Sequence, residues 1–198
     1  MRRRSDNRRL VVAVLAAAVV ALGGYGLVRY ARWRHEQDKE DRLAAVDELI
    51  WKHARATALP TELVRSVIRV ESGGNPRAVS PKSARGLMQI TPICEEEVLR
   101  RTGWDGGDLF DPDYNIRLGT WYLRWLIDQF DGDVHLALAA YHRGPTAVRK
   151  LVEDHPGLSS MELLSRHAKS SARYCRAVLR GKALRLEAAR SGESTRPR

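Results

Sequence analysis

The most regular apolar pattern in the chain lies in the stretch LVRSVIRVE. Leu63, Val67 and Val70 recur at positions i, i+4 and i+7, which predicts the buried face of an amphipathic helix. Glu71 follows Val67 by four residues and therefore lies on the same face. Arg65, between the apolar positions, is expected to face the solvent. The pattern predicts a helix whose last turn carries an inward-facing carboxyl group.

A carboxyl group in that position is expected to have a raised pKa. Burial and the negative C-terminal end of the helix both disfavour the ionised form of Glu71. A carboxylic acid that is still protonated near neutral pH can donate a proton to a leaving group. The same pattern also fits a glutamate at the edge of the core that pairs with a nearby arginine or caps neighbouring backbone groups.

The remaining apolar positions also recur at helical rather than alternating spacing. We predict further helices over Arg42–Thr57, from Asp111-Pro112 onward, in VHLALAAYHR, and over about Ser170–Gly181. Strands have little support in the sequence. The predicted fold class is therefore mainly α, with one compact helical domain over residues 43–181.

The N-terminal segment has the composition of a membrane anchor. The 19 residues Leu10–Val28 contain no charge, and as a helix they would span roughly 28 Å, enough to cross the hydrocarbon core of a bilayer. Residues 1–9 form a basic flank with five arginines, which favours a cytoplasmic N-terminus. A cleaved signal peptide is the alternative, because Ala16–Ala18 offer small residues, although that site lies inside the apolar run. We expect an uncleaved single-pass anchor, with the bulk of the chain exported.

The charge of the chain is uneven. The sequence has 34 Lys and Arg against 24 Asp and Glu, a formal net charge of +10. Residues 1–42 hold 10 of these basic and 5 of these acidic residues, so half of the excess belongs to the N-terminal segment. No zinc-finger, KH-type or RNP-type pattern accompanies the charge, and nucleic acid is therefore not an expected partner. Residues 29–42 are predicted to form a solvated stalk, and residues 182–198 a basic, disordered tail.

No metal or cofactor site is expected. The stretch DPDYN resembles the start of a calcium-binding loop, but Ile116 and Tyr122 stand where such a loop needs glycine and glutamate. His135 and His142 are seven residues apart on one predicted helix, and no third ligand has suitable spacing.

The chain has two cysteines, Cys94 and Cys175. Export would permit a disulfide between them. Two free, buried thiols fit the sequence equally well, so the pattern leaves both states open.

Three motifs carry a resemblance to a known family. The stretch ESGGNPRAVSPKSARGLMQITP, from Glu71 to Pro92, resembles the signature of the soluble-lytic-transglycosylase (SLT) family. The stretches LFDPDYNIRLGTWYLRWL and ALAAYHRGP are similar to the helix and the motif that follow in that family. The motifs occur in the expected order over about residues 45–180. The resemblance implies a goose-lysozyme-like helical domain that acts on the glycan strands of peptidoglycan.

The resemblance also implies a reaction. Glu71 would be the single catalytic acid and later the base in cleavage of the β-1,4 bond between N-acetylmuramic acid and N-acetylglucosamine. The N-acetyl group of the substrate would stabilise the glycosyl cation, and its own 6-hydroxyl would attack to leave a 1,6-anhydro end. Substrate-assisted glycosidases are known exceptions to the rule of paired carboxylates, and intramolecular attack benefits from proximity.

Six further residues match family positions in or beside the substrate groove. Ser80, Met88 and Gln89 match positions that line the groove, although Met88 would also fit core packing and Ser80 a loop cap. The remaining matches are aromatic or imidazole side chains near the catalytic glutamate: Tyr141, His142 and Tyr174. The tyrosine hydroxyls could orient the carboxyl group or the N-acetyl group.

The sequence departs from the family pattern at several of these places. The usual AYNAGP-G reads AYHRGPT, so that His142, Arg143 and Thr146 replace Asn, Ala and Gly. Ser170-Ser171 stands where Glu-Thr is frequent, and Ser83 where Gly is common. Neutral histidine offers one donor and one acceptor, as asparagine does, but with a different reach.

Together with the apolar N-terminal segment, the resemblance therefore implies a membrane-anchored lytic transglycosylase of the bacterial inner membrane, with its domain on the periplasmic or cell-wall side. Two alternatives remain. One is a peptidoglycan-binding scaffold that has lost turnover. The other is a hydrolase (muramidase) of the same fold, for which Asp105 or Asp108 would have to supply a second carboxylate.

Overall fold

The computed structural model of the chain describes the backbone of residues 2–190 and the side chains of residues 22–181. Within that part the secondary structure consists of nine helices and two isolated β-bridges, Val79 with Arg85 and Arg85 with Ile90. The helices are α1 (Arg2–Ala44), α2 (Asp47–Ala56), α3 (Thr61–Glu71), α4 (Pro92–Thr102), α5 (Pro112–Gln129), α6 (Val134–Arg143), α7 (Pro145–Asp154), α8 (Ser160–His167) and α9 (Lys169–Arg190). The predicted mainly α class is confirmed.

The chain divides into two compact units, Met1–Asp41 and Arg42–Arg198. In the first unit the described side chains are mostly exposed, and the rings of Tyr30 and Trp33 lie 5.9 Å apart. Across the described residues, none of the helices combines the length and the apolar character needed to cross a membrane. Residues 10–21, most of the predicted anchor, lie outside the part whose side chains are described.

Helix α3 packs against both α2 and α9 in the second unit. Leu63 and Val67 on α3 are almost completely buried, as the apolar spacing predicts, but the prediction for Val70 is wrong, because this side chain near the end of the helix is 37% exposed. The prediction for Arg65 is wrong: this side chain is only 4% exposed and pairs with Asp47 at the start of α2. The face that looks polar in the sequence is covered by a neighbouring helix, which supplies a compensating carboxylate.

Some helix boundaries also differ from the predictions. The helix predicted over Arg42–Thr57 is interrupted, since α1 ends at Ala44 and a turn at residues 45–46 precedes α2. Helix α9 continues to Arg190, nine residues beyond the predicted end of the domain at Gly181. The last part of the predicted tail, residues 191–198, lies outside the described residues.

Both cysteines are free thiols. Burial raises the pKa of Cys94 to about 12 and that of Cys175 to about 11. The Cys175 thiol lies 3.3 Å from the carbonyl oxygen of His135, to which it donates a hydrogen bond. Because a thiolate is the reactive form, both side chains are chemically quiet at neutral pH.

Candidate active site

Glu71 is the last residue of α3, and its carboxyl group is mostly buried. The hydroxyl of Tyr174 donates a hydrogen bond to Glu71 Oε1 over 2.6 Å. Burial raises the pKa of Glu71 to about 7, although the hydrogen bond from Tyr174 acts in the opposite direction. A carboxyl group with this pKa is about half protonated at neutral pH, so it can both donate and accept a proton.

Two tyrosines from different helices surround this carboxyl group. Tyr174 on α9 is 7% exposed, and burial followed by the charge of Glu71 raises its pKa well above the ordinary value. Tyr141 on α6 has a pKa raised by the same two causes. Its hydroxyl donates to the carbonyl oxygen of Met88 over 2.8 Å rather than to Glu71. Both phenols therefore stay protonated, and Tyr174 is the one that contacts the candidate acid.

Asn115 on α5 fixes the loop that follows Glu71. Its Oδ1 accepts from the backbone N–H of Met88 over 2.7 Å, and its Nδ2 donates to the carbonyl oxygens of Arg85 and Leu109 over 2.9 and 2.8 Å. The side chain is fully buried, and all three bonds go to backbone groups, of which the Arg85 carbonyl oxygen also accepts from the backbone N–H of Ile90. In the sequence, Asn115 appears only within DPDYN, the stretch that resembles the start of a calcium-binding loop, and its bonds to the loop are not predicted. The signal that could have revealed it is a lone amide on the buried face of α5.

Two glycines allow the loop to approach α5 closely. Gly86 has a φ of +76°, and a Cβ there would collide with the Asn115 side chain and the Leu109 carbonyl oxygen. A Cβ on Gly119 would collide with the side chain of Met88. The glycines at these two positions therefore set the distance between the loop and the helix.

The three predicted groove residues on the loop occupy different environments. The Met88 side chain has no exposed surface and packs against Gly119, which favours core packing over substrate contact. Ser80 Oγ accepts from the backbone N–H groups of Lys82 and Ala84, each over 3.2 Å, as a loop cap does. Gln89 is partly exposed, and its Nε2 donates to the carbonyl oxygens of Ala78 and Gly86 over 3.2 and 3.0 Å.

The two aspartates considered as a second carboxylate lie in the loop between α4 and α5. Asp105 and Asp108 are both exposed. Asp108 Oδ1 accepts from the backbone N–H of Phe110 over 2.8 Å, which is a local turn contact. Among the described residues, no group of three or more His, Cys, Asp or Glu side chains could hold a metal ion.

Comparison with known proteins places this arrangement in a family. The family model described as "Transglycosylase SLT domain" matches residues 48–163, more than half of the chain. The chain belongs to this family.

The SLT domain is similar to curated relatives of two kinds. It is 31% identical over 129 residues to the soluble lytic murein transglycosylase of Escherichia coli K12, an alignment that covers 63% of this chain and 20% of that protein. It is 29% identical over 159 residues to the membrane-bound lytic murein transglycosylase E of Buchnera aphidicola, covering 71% of this chain and 72% of that protein. The chain thus spans about a fifth of the length of the soluble relatives.

Solved structures agree with the SLT fold. The inactive glutamate-to-glutamine mutant of lytic transglycosylase Slt from Pseudomonas aeruginosa superposes with a TM-score of 0.63 at 30% identity, over 69% of this chain and 23% of that one. The 70 kDa soluble lytic transglycosylase of E. coli gives a TM-score of 0.63 at 28% identity over the same shares of the two chains.

Two residues at which this SLT domain departs from the family pattern, His142 and Ser171, contact each other. His142, at the end of α6, lies with Nδ1 3.3 Å from the hydroxyl oxygen of Ser171 on α9. The imidazole also stacks on the ring of Tyr174, with centroids 4.9 Å apart and planes inclined by 26°. His142 is exposed at the surface, but partial desolvation of its ring, then the positive charges of Lys82 and Arg143, lower its pKa. The imidazole is therefore neutral at neutral pH.

Proposed function

We propose that the chain is a membrane-anchored lytic transglycosylase that cleaves the β-1,4 bond between N-acetylmuramic acid and N-acetylglucosamine in peptidoglycan. The observation that carries this proposal is the mostly buried carboxyl group of Glu71, with a pKa of about 7 and a hydrogen bond from Tyr174. The names of the soluble and membrane-bound relatives support the reaction class. The inactive mutant of the Pseudomonas relative, which replaces a glutamate by glutamine, supports a glutamate as the catalytic group.

In the proposed reaction, protonated Glu71 donates its proton to the glycosidic oxygen as the bond from that oxygen to C1 of N-acetylmuramic acid breaks. The N-acetyl group of the same sugar stabilises the positive charge at C1. The Glu71 carboxylate then takes the proton of the 6-hydroxyl while O6 bonds to C1, which closes the 1,6-anhydro ring. The proton balance is closed and no water is consumed, so one carboxyl group near its pKa is sufficient.

Tyr174 has a defined part in this sequence. Its protonated phenol donates to Glu71 Oε1, which leaves the other carboxyl oxygen to carry the transferred proton. The same hydrogen bond stabilises the carboxylate that forms after the first step. Tyr141 holds the loop through the Met88 carbonyl group, and Gln89 lies on the partly exposed side of that loop, where it could reach the glycan.

The decisive experiment is digestion of purified peptidoglycan with the full chain and identification of the products by mass. Anhydro ends support the proposed lytic activity, reducing ends would indicate a hydrolase, and absence of release would indicate a binding scaffold. Glu71→Gln keeps the shape of the side chain but removes the proton donor, so turnover is expected to fall about 100-fold or more. Wild-type activity in a folded Glu71→Gln protein would overturn the role of Glu71.

We also propose that Leu10–Val28 anchors the domain to the inner membrane, as its uncharged sequence and the membrane-bound relative suggest. Membrane fractions should then contain full-length protein that resists extraction by high salt and is released by detergent. A soluble species that begins after residue 18 would show instead that the segment is a cleaved signal peptide.

A further inference from the structure

We propose that His142 and Ser171 act together as a positioning pair, which holds the ring of Tyr174 and thereby fixes the Glu71 carboxyl group for proton transfer. The catalytic part of this statement rests on the function proposed above. The pair itself lies outside the family pattern, because asparagine and threonine commonly occupy these two positions.

Three contacts link the pair to the carboxyl group. His142 Nδ1 lies 3.3 Å from Ser171 Oγ, the imidazole stacks on Tyr174 at 4.9 Å, and the Tyr174 hydroxyl lies 2.6 Å from Glu71 Oε1. Ser171 and Tyr174 are three residues apart on α9, so they lie on the same face of that helix. The contacts therefore run from the end of α6 through α9 to the end of α3.

Burial makes the first contact important. The Ser171 side chain has no exposed surface, and His142 is the hydrogen-bond partner of its hydroxyl among the described residues. Removal of the imidazole would take away the side-chain partner of this hydroxyl and the cover that His142 provides over it. The hydroxyl can donate to Nδ1 of neutral histidine, which orients the imidazole plane against the phenol.

The second contact restricts Tyr174. A ring stacked on one face loses freedom to rotate, and its hydroxyl is then held towards Glu71. Asparagine at position 142 has no ring that could stack in this way. Loss of either member of the pair should therefore loosen Tyr174 and weaken its hydrogen bond to the carboxyl group.

The effect of His142 on the pKa of Glu71 through Tyr174 can be distinguished from a direct effect of charge. Lys82 and Arg143 lie near the imidazole, whereas Tyr141 and Tyr174 are the titratable groups near Glu71. Since His142 is neutral at neutral pH, its removal takes no charge away from the site. The hydrogen bond from Tyr174 lowers the pKa of Glu71, so a weaker bond should raise that pKa further.

The test is a direct titration of Glu71 in the full chain labelled with ¹³C at the glutamate carboxyl carbon. The resonance of Glu71 is the one that disappears in Glu71→Gln. In His142→Ala and in Ser171→Ala the pKa of Glu71 should rise by about half a unit or more. The double variant should shift no further than the larger single change, because the two residues act as one unit.

Matched controls are available on the same two helices. His135→Ala removes a histidine from the start of α6, and Ser170→Ala removes the exposed hydroxyl next to Ser171; both should leave the pKa of Glu71 unchanged. Ser171→Thr keeps a hydroxyl and should keep the wild-type value, which provides a rescue if alanine at this buried position impairs folding. An unchanged pKa in folded His142→Ala and Ser171→Ala overturns the pair.

Digestion of peptidoglycan by the same proteins separates this inference from the proposed function. Product release without any shift in the pKa of Glu71 leaves the enzyme assignment intact and refutes the positioning pair. A shift in the variants, with no product even from the wild-type chain, refutes the proposed activity and supports the structural linkage. Both results together support the pair as a positioning element of the reaction.

Discussion

The raised pKa of Glu71 predicts that the candidate acid destabilises the fold at neutral and higher pH. In an unfolded chain the carboxyl group titrates at about 4.5, whereas burial raises its pKa to about 7 in the folded protein. Between these values the folded state binds more protons than the unfolded state, so the stability falls as the pH rises. The folded protein therefore keeps its full free energy of unfolding below about pH 4.5, where Glu71 is protonated in both states, and has lost the contribution of this proton once the pH has risen through about 7.

Substitution of Glu71 by glutamine should remove this loss. Each pKa unit corresponds to about 1.4 kcal/mol, so the rise from 4.5 to about 7 corresponds to about 3 kcal/mol. Glutamine stays neutral and can still accept the hydrogen bond from Tyr174 through its amide oxygen. Glu71→Gln should therefore match the wild type near pH 4.5 and exceed its free energy of unfolding by about 3 kcal/mol above pH 7.

The assay is urea unfolding of both proteins at a series of pH values from about 4.5 to about 8. The difference between the two curves isolates Glu71, because every other titrating group is shared. Glu153→Gln, on an exposed turn of α7, controls for the loss of one negative charge and should give a small, nearly constant difference. A difference between Glu71→Gln and the wild type that does not change with pH would refute the assignment of a buried, destabilised carboxylate.

Three further predictions concern single side chains around the site. Tyr174→Phe removes the hydrogen bond to Glu71, so the fall in kcat/KM above neutral pH should move to higher pH; a limb that stays in place would show that the bond does not affect the acid. The pKa of His142 is lowered, so its protonation should change KM only below the ordinary histidine pKa of about 6.5. His142→Asn should abolish this change in KM at acid pH; a KM profile like that of the wild type would leave His142 without a substrate role. Ser83 has a φ of +59°, so Ser83→Gly should raise the free energy of unfolding by about 1 kcal/mol, which urea unfolding will measure; a loss of stability would show that the serine side chain makes a compensating contribution.

The sequence is most informative where a feature depends on nearby residues. The inward orientation of the Glu71 side chain could be predicted from apolar residues within two turns of the same helix. In the structure the carboxyl group faces inward, where it accepts a hydrogen bond from Tyr174. The burial of Arg65 could not be predicted in this way, because it depends on Asp47, 18 residues earlier. A charged side chain is expected on the surface unless its partner is known.

Short helices were missed for a different reason. Helices α4, α7 and α8 bury only one or two residues each, so they offer too few apolar positions for a periodic pattern to stand out. Two of them nevertheless carry a local start signal. Thr91 caps α4 before Pro92, and Pro145 begins α7 directly after Gly144. Ser83, by contrast, replaced a common glycine without any visible compensation in the sequence, and only its backbone angle shows why glycine is usual there.

The hydrogen bonds of Asn115 have a consequence for protein engineering. The loop after Glu71 does not hold its shape alone, since its carbonyl and amide groups are bound by a side chain from α5 and it lies directly on Gly119. A chimera that exchanges this loop between relatives while keeping an unrelated α5 would inherit the motif without its support. Recombination should therefore move residues 71–91 and α5 as one block, with crossover points before Glu71 and beyond Gln129.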